Sequence, residues 1–197
     1  MEFNKVLETR RSNYTLDKKV TVDDAKIKAL LQEAVLHTPT GFNSQSGRVV
    51  LLLNKNHDAL WKMIKEALRK VTPADQFKTT NDKINAFNAA YGTVLFFEDQ
   101  AVVTGLMKEH PLYAANFPVW SLESAGMLQL AVWGGMAQEG LAASLQHYSE
   151  LIEGDVKKTF DIPANWKLIA QMPFGNPVEK ATKKTFQSLE KRLIVKS

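Results

Sequence analysis

Hydrophobic and polar positions switch between two periods along this chain, and the switches mark out its elements. Residues 124–138 (SAGMLQLAVWGGMAQ) carry no charged side chain. Their apolar positions fall on nearly every side of a 3.6-residue turn, which predicts a helix over 122–139 wrapped by neighbours on all faces. Ser121 stands where a cap belongs, Glu123 in the first turn where the helix dipole favours an anion, and Gly140 just past the end. Ser124, Gln129 and Gln138 interrupt the run. It is also shorter than the roughly 20 apolar residues a bilayer requires, so no membrane span is expected. Gly126, Gly134 and Gly135 each cost up to about 1 kcal/mol against Ala inside a helix, a cost that predicts close approach of another backbone. That backbone belongs either to the same subunit or, with the helix along a two-fold axis, to a second copy.

The other elements follow in order. A short helix over 4–10 runs into Arg10-Arg11-Ser12-Asn13-Tyr14. Thr21 and Asp24 have capping-box spacing ahead of the amphipathic series Ile27, Leu30, Leu31, Ala34, Val35, which ends before Pro39. Residues 49–54 read as a strand buried on both faces, and 56–70 as a helix with Leu60, Trp61, Ile64 and Leu68 on one side. Thr72 and Pro73 are expected to open a further helix carrying Phe77, Ile84, Phe87 and Tyr91. A second buried strand covers 93–97, with Glu98-Asp99 as its turn. Residues 100–117 suggest a helix and an irregular excursion over a pocket. A short strand over 141–146, a helix ending near Phe160, a strand over 166–172 and an abrupt turn at 173–177 complete the body. A polar arm follows, with a strand-like piece at 193–195. There are no repeats and no low-complexity tract.

With 197 residues, 45% hydrophobic and 23% charged, the chain suits one globular domain over 1–197. It has no cysteine, which excludes disulfides, thiolate nucleophiles and cysteine-held metals. The N-terminus has no apolar signal core, so a cytoplasmic protein is expected. The formal charge of +4 sits in the tail: residues 179–197 hold six basic and two acidic side chains, six minus two. A neutral body offers a polyanion little to bind, and a nucleic-acid role ranks last.

No P-loop, dinucleotide glycine fingerprint, zinc helix or Gly-x-Ser-x-Gly elbow is present, and the four histidines have no partner at ligand spacing. No metal is expected. What remains is polar and anion-friendly. Arg10 and Arg11 beside Ser12 have the donors a phosphate or polyhydroxyl chain needs. The loop 38–47 (TPTGFNSQSG) presents Asn43 and Gln45, whose amides both donate and accept, as suits the edge of a planar heterocycle. A chain with such loops and no evident acid, base or nucleophile points to chemistry carried by a bound cofactor.

Five blocks in order, Arg10-Arg11-Ser12, Pro39-Thr40-Gly41-Phe42-Asn43-Ser44-Gln45, Gly126-Met127 with Gln129 and Trp133, the stretch 140–148 (GLAASLQHY), and Met172-Pro173-Phe174-Gly175, resemble the nitroreductase family of flavoenzymes. Within it they look like the branch of copper-inducible bacterial and fungal-type nitroreductases. The resemblance implies an α+β fold: a central mixed β-sheet surrounded by helices, in an intertwined homodimer that exchanges C-terminal arms and holds FMN between subunits. It implies that Arg10 and Ser12 meet the FMN phosphate and ribityl chain with Arg11 assisting. Pro39, Thr40, Asn43 and Gln45 would come from the other subunit to the ring and ribityl side, Leu145 and Gln146 would lie near N5 and O4, and Lys184 would return to the phosphate. Tyr14 stands where the family commonly has a basic residue, and Ser46-Gly47 replaces a frequent Pro-Trp. No side chain is then needed as a catalytic residue. The implied activity is NADH- or NADPH-dependent reduction of a small aromatic acceptor, a nitro compound or a quinone. The second reading is a flavin-binding carrier or redox-responsive regulator with little turnover. Phe42, Trp120 and the aromatics of 100–117 are candidates for the pocket wall.

Overall fold

The computed structural model describes residues 2–196, so both ends of the expected 1–197 domain lie outside the described residues. Its elements are α1 (Phe3–Thr9), β1 (Leu16–Asp17), α2 (Asp24–His37), β2 (Gly47–Leu53), α3 (Asn54–Val71), α4 (Phe77–Asn88), β3 (Gly92–Asp99), α5 (Gln100–Glu109), α6 (Phe117–Gln138), β4 (Ala142–Ala143), α7 (Ser149–Phe160) and β5 (Trp166–Pro177), with short 3-10 turns at Gly41–Asn43, Pro111–Tyr113 and Leu189–Lys191. The sheet runs β1-β5-β3-β2, and β4 pairs with β5. Every ladder between named strands is antiparallel, where a mixed sheet was expected; the parallel pairing is the isolated bridge Ser12–Ala143.

Period-2 alternation places the core on both faces of that sheet. From β3, Val94 and Phe96 join Leu128, Val132 and Met136 of α6 and Ile27 and Leu31 of α2 in one cluster. Leu95 and Phe97 point the other way, to Leu60, Trp61 and Ile64 of α3, Phe87 of α4 and Ile152 of α7. Covered twice, β3 is buried throughout. The strand expected to be buried on both faces at 49–54 is instead the edge strand β2, mostly half-buried.

The second cluster encloses a polar relay. His57 Nε2 lies 3.1 Å from the Asn88 carbonyl and Nδ1 2.9 Å from Thr93 Oγ1, and Trp61 Nε1 donates to the same hydroxyl at 2.9 Å. Because the carbonyl only accepts, Nε2 carries the proton and Nδ1 accepts from Thr93. Burial, the largest cause, holds the His57 pKa below the ordinary 6.5 despite the Asn88 hydrogen bond. The unfolded chain therefore takes up this proton first as pH falls. The stability His57 contributes is whole above the unfolded value and is lost as pH drops through the folded one. The expected outcome is a Tm that falls between about pH 7 and pH 5, and falls less steeply with His57→Gln; equal slopes in thermal melts would remove this residue from the acid limb.

Several boundaries moved for local reasons. The long helix starts at Phe117 with Pro118 in its first turn, so Ser121 lies inside it, buried, donating to the Pro118 carbonyl rather than capping. Asp23, not Thr21, caps α2 by accepting from Lys26 N. The helix expected from Thr72-Pro73 begins only at Phe77, and Tyr91 lies beyond it. Glu98 and Asp99 belong to β3, and the expected turn at 173–177 continues β5 to Pro177, buried through Gly175. The strand expected at 141–146 shrinks to β4 plus a Gln146–Gln171 bridge, and residues 193–195 form no strand.

The three glycines of α6 divide between the alternatives posed above. A Cβ on Gly134 would lie 3.0 Å from Val6 of α1, and one on Gly135 3.0 Å from Leu30 of α2, so close packing within the subunit explains both. Gly126 meets nothing within 4 Å. It lies on a face with Val119, Leu122, Met127 and Leu130, which are 54, 51, 42 and 42% exposed. The expected wrapping on all faces is therefore incomplete within one chain: α6 keeps a largely apolar stripe open between Val119 and Leu130, with the exposed Glu123 among its members. Among the described residues, no helix is long and apolar enough to cross a membrane.

Candidate functional site

The residues named from the sequence gather into two groups at different places on the chain. The first forms where the chain leaves α1 and is laid against β4. Ser12 bridges Ala143, and Asn13 N donates to the Ala143 carbonyl at 2.9 Å. This docking leaves Arg10 and Arg11 half-buried, and Arg11 faces a cleft of ≈ 450 Å³ whose walls include Thr9, Asn13, Trp133, Ala142, Glu179 and Lys180. The Arg10 guanidinium lies over the Trp133 ring, 4.4 Å from its centroid. Its pKa is lowered first by burial and then by repulsion from Arg11. None of the ion pairs among the described residues involves either arginine. Two adjacent cations without an acid partner have the charge and the donors that an anion would use.

The other members of this group are less uniform. Leu145 packs against the first core cluster. Gln146 is buried, and its amide donates to Ser144 Oγ at 3.0 Å while its backbone pairs with Gln171. Tyr14 is 56% exposed and tilts against Phe87. The start of the arm closes on the group: Arg11 Nη2 donates to the Thr182 carbonyl at 2.5 Å and Asn13 Nδ2 to that of Glu179 at 3.1 Å. Lys184 lies beyond, exposed, with its ammonium 5.2 Å from the Phe186 ring centroid.

The second group is the loop between α2 and β2. Thr40 Oγ1 accepts from Gln45 N at 3.0 Å, and the Gln45 amide donates to the Asn43 carbonyl at 3.3 Å. Phe42, Asn43 and Gln45 all have positive φ (57°, 50° and 49°), three of the five non-glycine residues so strained among those described. Pro39 and Asn43 are exposed and Thr40 is half-buried. A cleft of ≈ 330 Å³ opens beside Thr40 and Gln45, with Glu98, Ser124 and Leu128 in its wall. Phe42 stacks on Trp120 at 5.8 Å and 18° and touches the rings of His110, Tyr113 and Phe117. The irregular excursion and the loop thus share one aromatic surface.

The clefts beside the two groups share no lining residue. Sequence reading also missed what secures the second one. Arg48 donates to the Gln45 carbonyl at 2.6 Å and to Asp99 at 2.9 Å, and Ser46 donates to Glu98 at 2.6 Å. The signal available was an acidic pair at the end of an otherwise apolar strand, which reads equally well as a turn. Among the described residues no group of three acidic or histidine side chains is placed to hold a metal.

The nitroreductase family profile matches residues 7–176, most of the chain and both groups apart from Lys184. The chain belongs to the nitroreductase family. Among its relatives, HBN1 of Saccharomyces cerevisiae is 33% identical over 186 residues, covering 92% of this chain and 91% of the relative. The nitroreductase CinD of Lactococcus lactis, solved in complex with chloramphenicol, superposes with a TM-score of 0.92 at 41% identity over the whole of both chains. The same protein in complex with 4-nitrophenol gives 0.91. A protein of Exiguobacterium sibiricum solved in complex with FMN has the same fold at 12% identity, with a TM-score of 0.73 over 100% of this chain and 98% of its own. The nitroreductase fold expected from the five blocks is the fold observed.

Proposed function

We propose that this nitroreductase is an FMN-dependent NAD(P)H oxidoreductase that reduces nitroaromatic compounds, quinones or both, as one domain over 1–197 in a cytoplasmic homodimer that binds neither nucleic acid nor membrane. The observation that carries the reading is the half-buried Arg10–Arg11 couple, which has no acidic partner among the described residues and whose Arg11 lines the cleft. Its donor set fits a phosphate monoester, and the relatives bound to FMN and to nitroaromatics support the rest of the ligand.

The chemistry that bound FMN supplies is acceptance of hydride from a nicotinamide and its donation to a flat acceptor. The chain's own part is to bind, orient and exclude water. Arg10, Arg11 and Ser12 hold the phosphate and ribityl end, with Lys184 returning to it from the arm and Tyr14 beside it. Leu145 and Gln146 border the ring. Pro39, Thr40, Asn43 and Gln45 come from a second copy, which would unite the two groups that one chain keeps apart. The open stripe of α6 is the natural seam, since each apolar side chain withdrawn from water there contributes up to about 1.5–3 kcal/mol. Phe42 and Trp120 form the wall on which a flat acceptor stacks. Phe42→Ala is expected to raise KM for aromatic acceptors about three- to tenfold with KM for the nicotinamide nearly unchanged; steady-state kinetics with both varied reads this.

Absorbance tests the whole reading. Purified protein loaded with FMN should be bleached by NADH or NADPH and recover its colour on adding a nitroaromatic or a quinone. Colour that no nicotinamide bleaches would favour the carrier reading, and a protein that retains no FMN would end both.

A further inference from the structure

The acid at the end of β3 has no part in the flavin contacts assigned above. Glu98 is 1% exposed. One carboxyl oxygen accepts from Ser46 Oγ at 2.6 Å; the other, Oε1, is buried without a hydrogen-bond partner among the described residues. Oε1 lies 3.7 Å from the point where Gly47 would carry a Cβ, and Leu128 of α6 closes the same spot at 3.1 Å. An ionised carboxylate with one oxygen buried and unpartnered is far costlier than the neutral acid.

The surroundings do not neutralise that cost. Arg48 on β2 and Asp99 on β3 are the nearest charges, and they pair with each other at 2.9 Å. On β5, Lys167 stands opposite Glu98 in register but is exposed, and α6 offers only Leu128 and Ser124. Burial therefore raises the Glu98 pKa above its ordinary value, with the Ser46 hydrogen bond and Arg48 pulling it back and Asp99 adding to the rise.

Ser46 links this acid to the loop. It is fully buried, its carbonyl accepts from Asp99 N at 2.9 Å, and it follows directly on the left-handed Gln45. We propose that Glu98 is carried as the neutral acid and is a positioning residue for the 40–45 loop packed over it: its ionisation puts an uncompensated charge beneath the closed loop, a cost larger than the gain in the Ser46 hydrogen bond, and loosens the flavin half-site this loop provides. The sign follows from linkage: a group held neutral contributes fully at low pH, and its contribution is lost as pH rises through the folded-state value. The ligand in this proposal rests on the flavin reading; the state of the carboxyl does not.

Glu98→Gln keeps the shape and hydrogen-bonding capacity of the neutral acid without the titration. The FMN Kd, from fluorescence titration from about pH 5, just above the ordinary carboxyl range, to about pH 9, should rise about tenfold in the wild type relative to Glu98→Gln. Deuterium uptake of residues 38–47, compared between the two proteins at each pH, should rise in the wild type alone. Parallel profiles in both measurements overturn the proposal. If neither protein binds FMN at any pH, the flavin reading falls, and the exchange comparison still decides the role of Glu98. Should Glu98→Gln not fold, infrared spectra of the wild type replace it. A protonated-carboxylic-acid band that persists above the ordinary carboxyl range and fades as pH rises further, together with growing exchange in 38–47, upholds the proposal; absence of that band overturns it.

Discussion

Arg10→Ala is expected to weaken FMN binding about 10- to 100-fold, the equivalent of one charge-assisted hydrogen bond of about 1.5–3 kcal/mol. Three features of Arg10 set that size. It is half-buried, so solvent screens it less than a surface cation. It has no acidic partner among the described residues, so its charge is free for a ligand. The Trp133 face fixes its plane, which lowers the entropy lost when an anion docks. Arg10→Lys should recover part of the loss, because a point charge replaces the fork. The subunit should stay folded, since α1 has no fully buried residue. Calorimetric titration with FMN measures the effect, and an unchanged Kd in the alanine variant would remove the phosphate assignment.

Leu130→Glu should have the larger consequence. Leu130 is the last residue of the open stripe of α6, 42% exposed, so glutamate there costs the isolated subunit little. Pressed against a second copy, the same carboxylate would be buried without a partner. Light scattering should report a folded monomer with a Tm close to that of the wild type. Its flavin affinity should fall at least about 100-fold, because the 40–45 loop would no longer face Arg10 and Ser12 of another subunit. A glutamate variant that stays dimeric and keeps its flavin would move the seam away from α6.

The two halves of the candidate site were legible to different degrees. Arg10-Arg11-Ser12 could be read directly, since the chemistry of adjacent guanidiniums is a property of the residues themselves. The polarity of the 38–47 loop was equally plain. Its left-handed Phe42, Asn43 and Gln45 were not, because nothing local favours positive φ at a phenylalanine; Arg48, Ser46 and the stacking on Trp120 hold the backbone there. Glu98 was the clearest miss. An acid after an apolar strand is ordinarily a solvated turn, and only the helix laid over it makes it a buried one.

By itself the sequence determined the family, the succession of helices and buried strands, and the two polar segments, because periodicity, punctuation and residue chemistry are local. It left open whether the glycines of α6 serve one subunit or two. Tertiary packing decided that Gly134 and Gly135 receive Val6 and Leu30 while Gly126 faces outward. It also ran β5 straight through Pro173 and buried a carboxyl against Ser46, 52 residues away in sequence. Each of those outcomes depends on which surface another element covers, and that is fixed only when segments distant in the chain compete for the same apolar area.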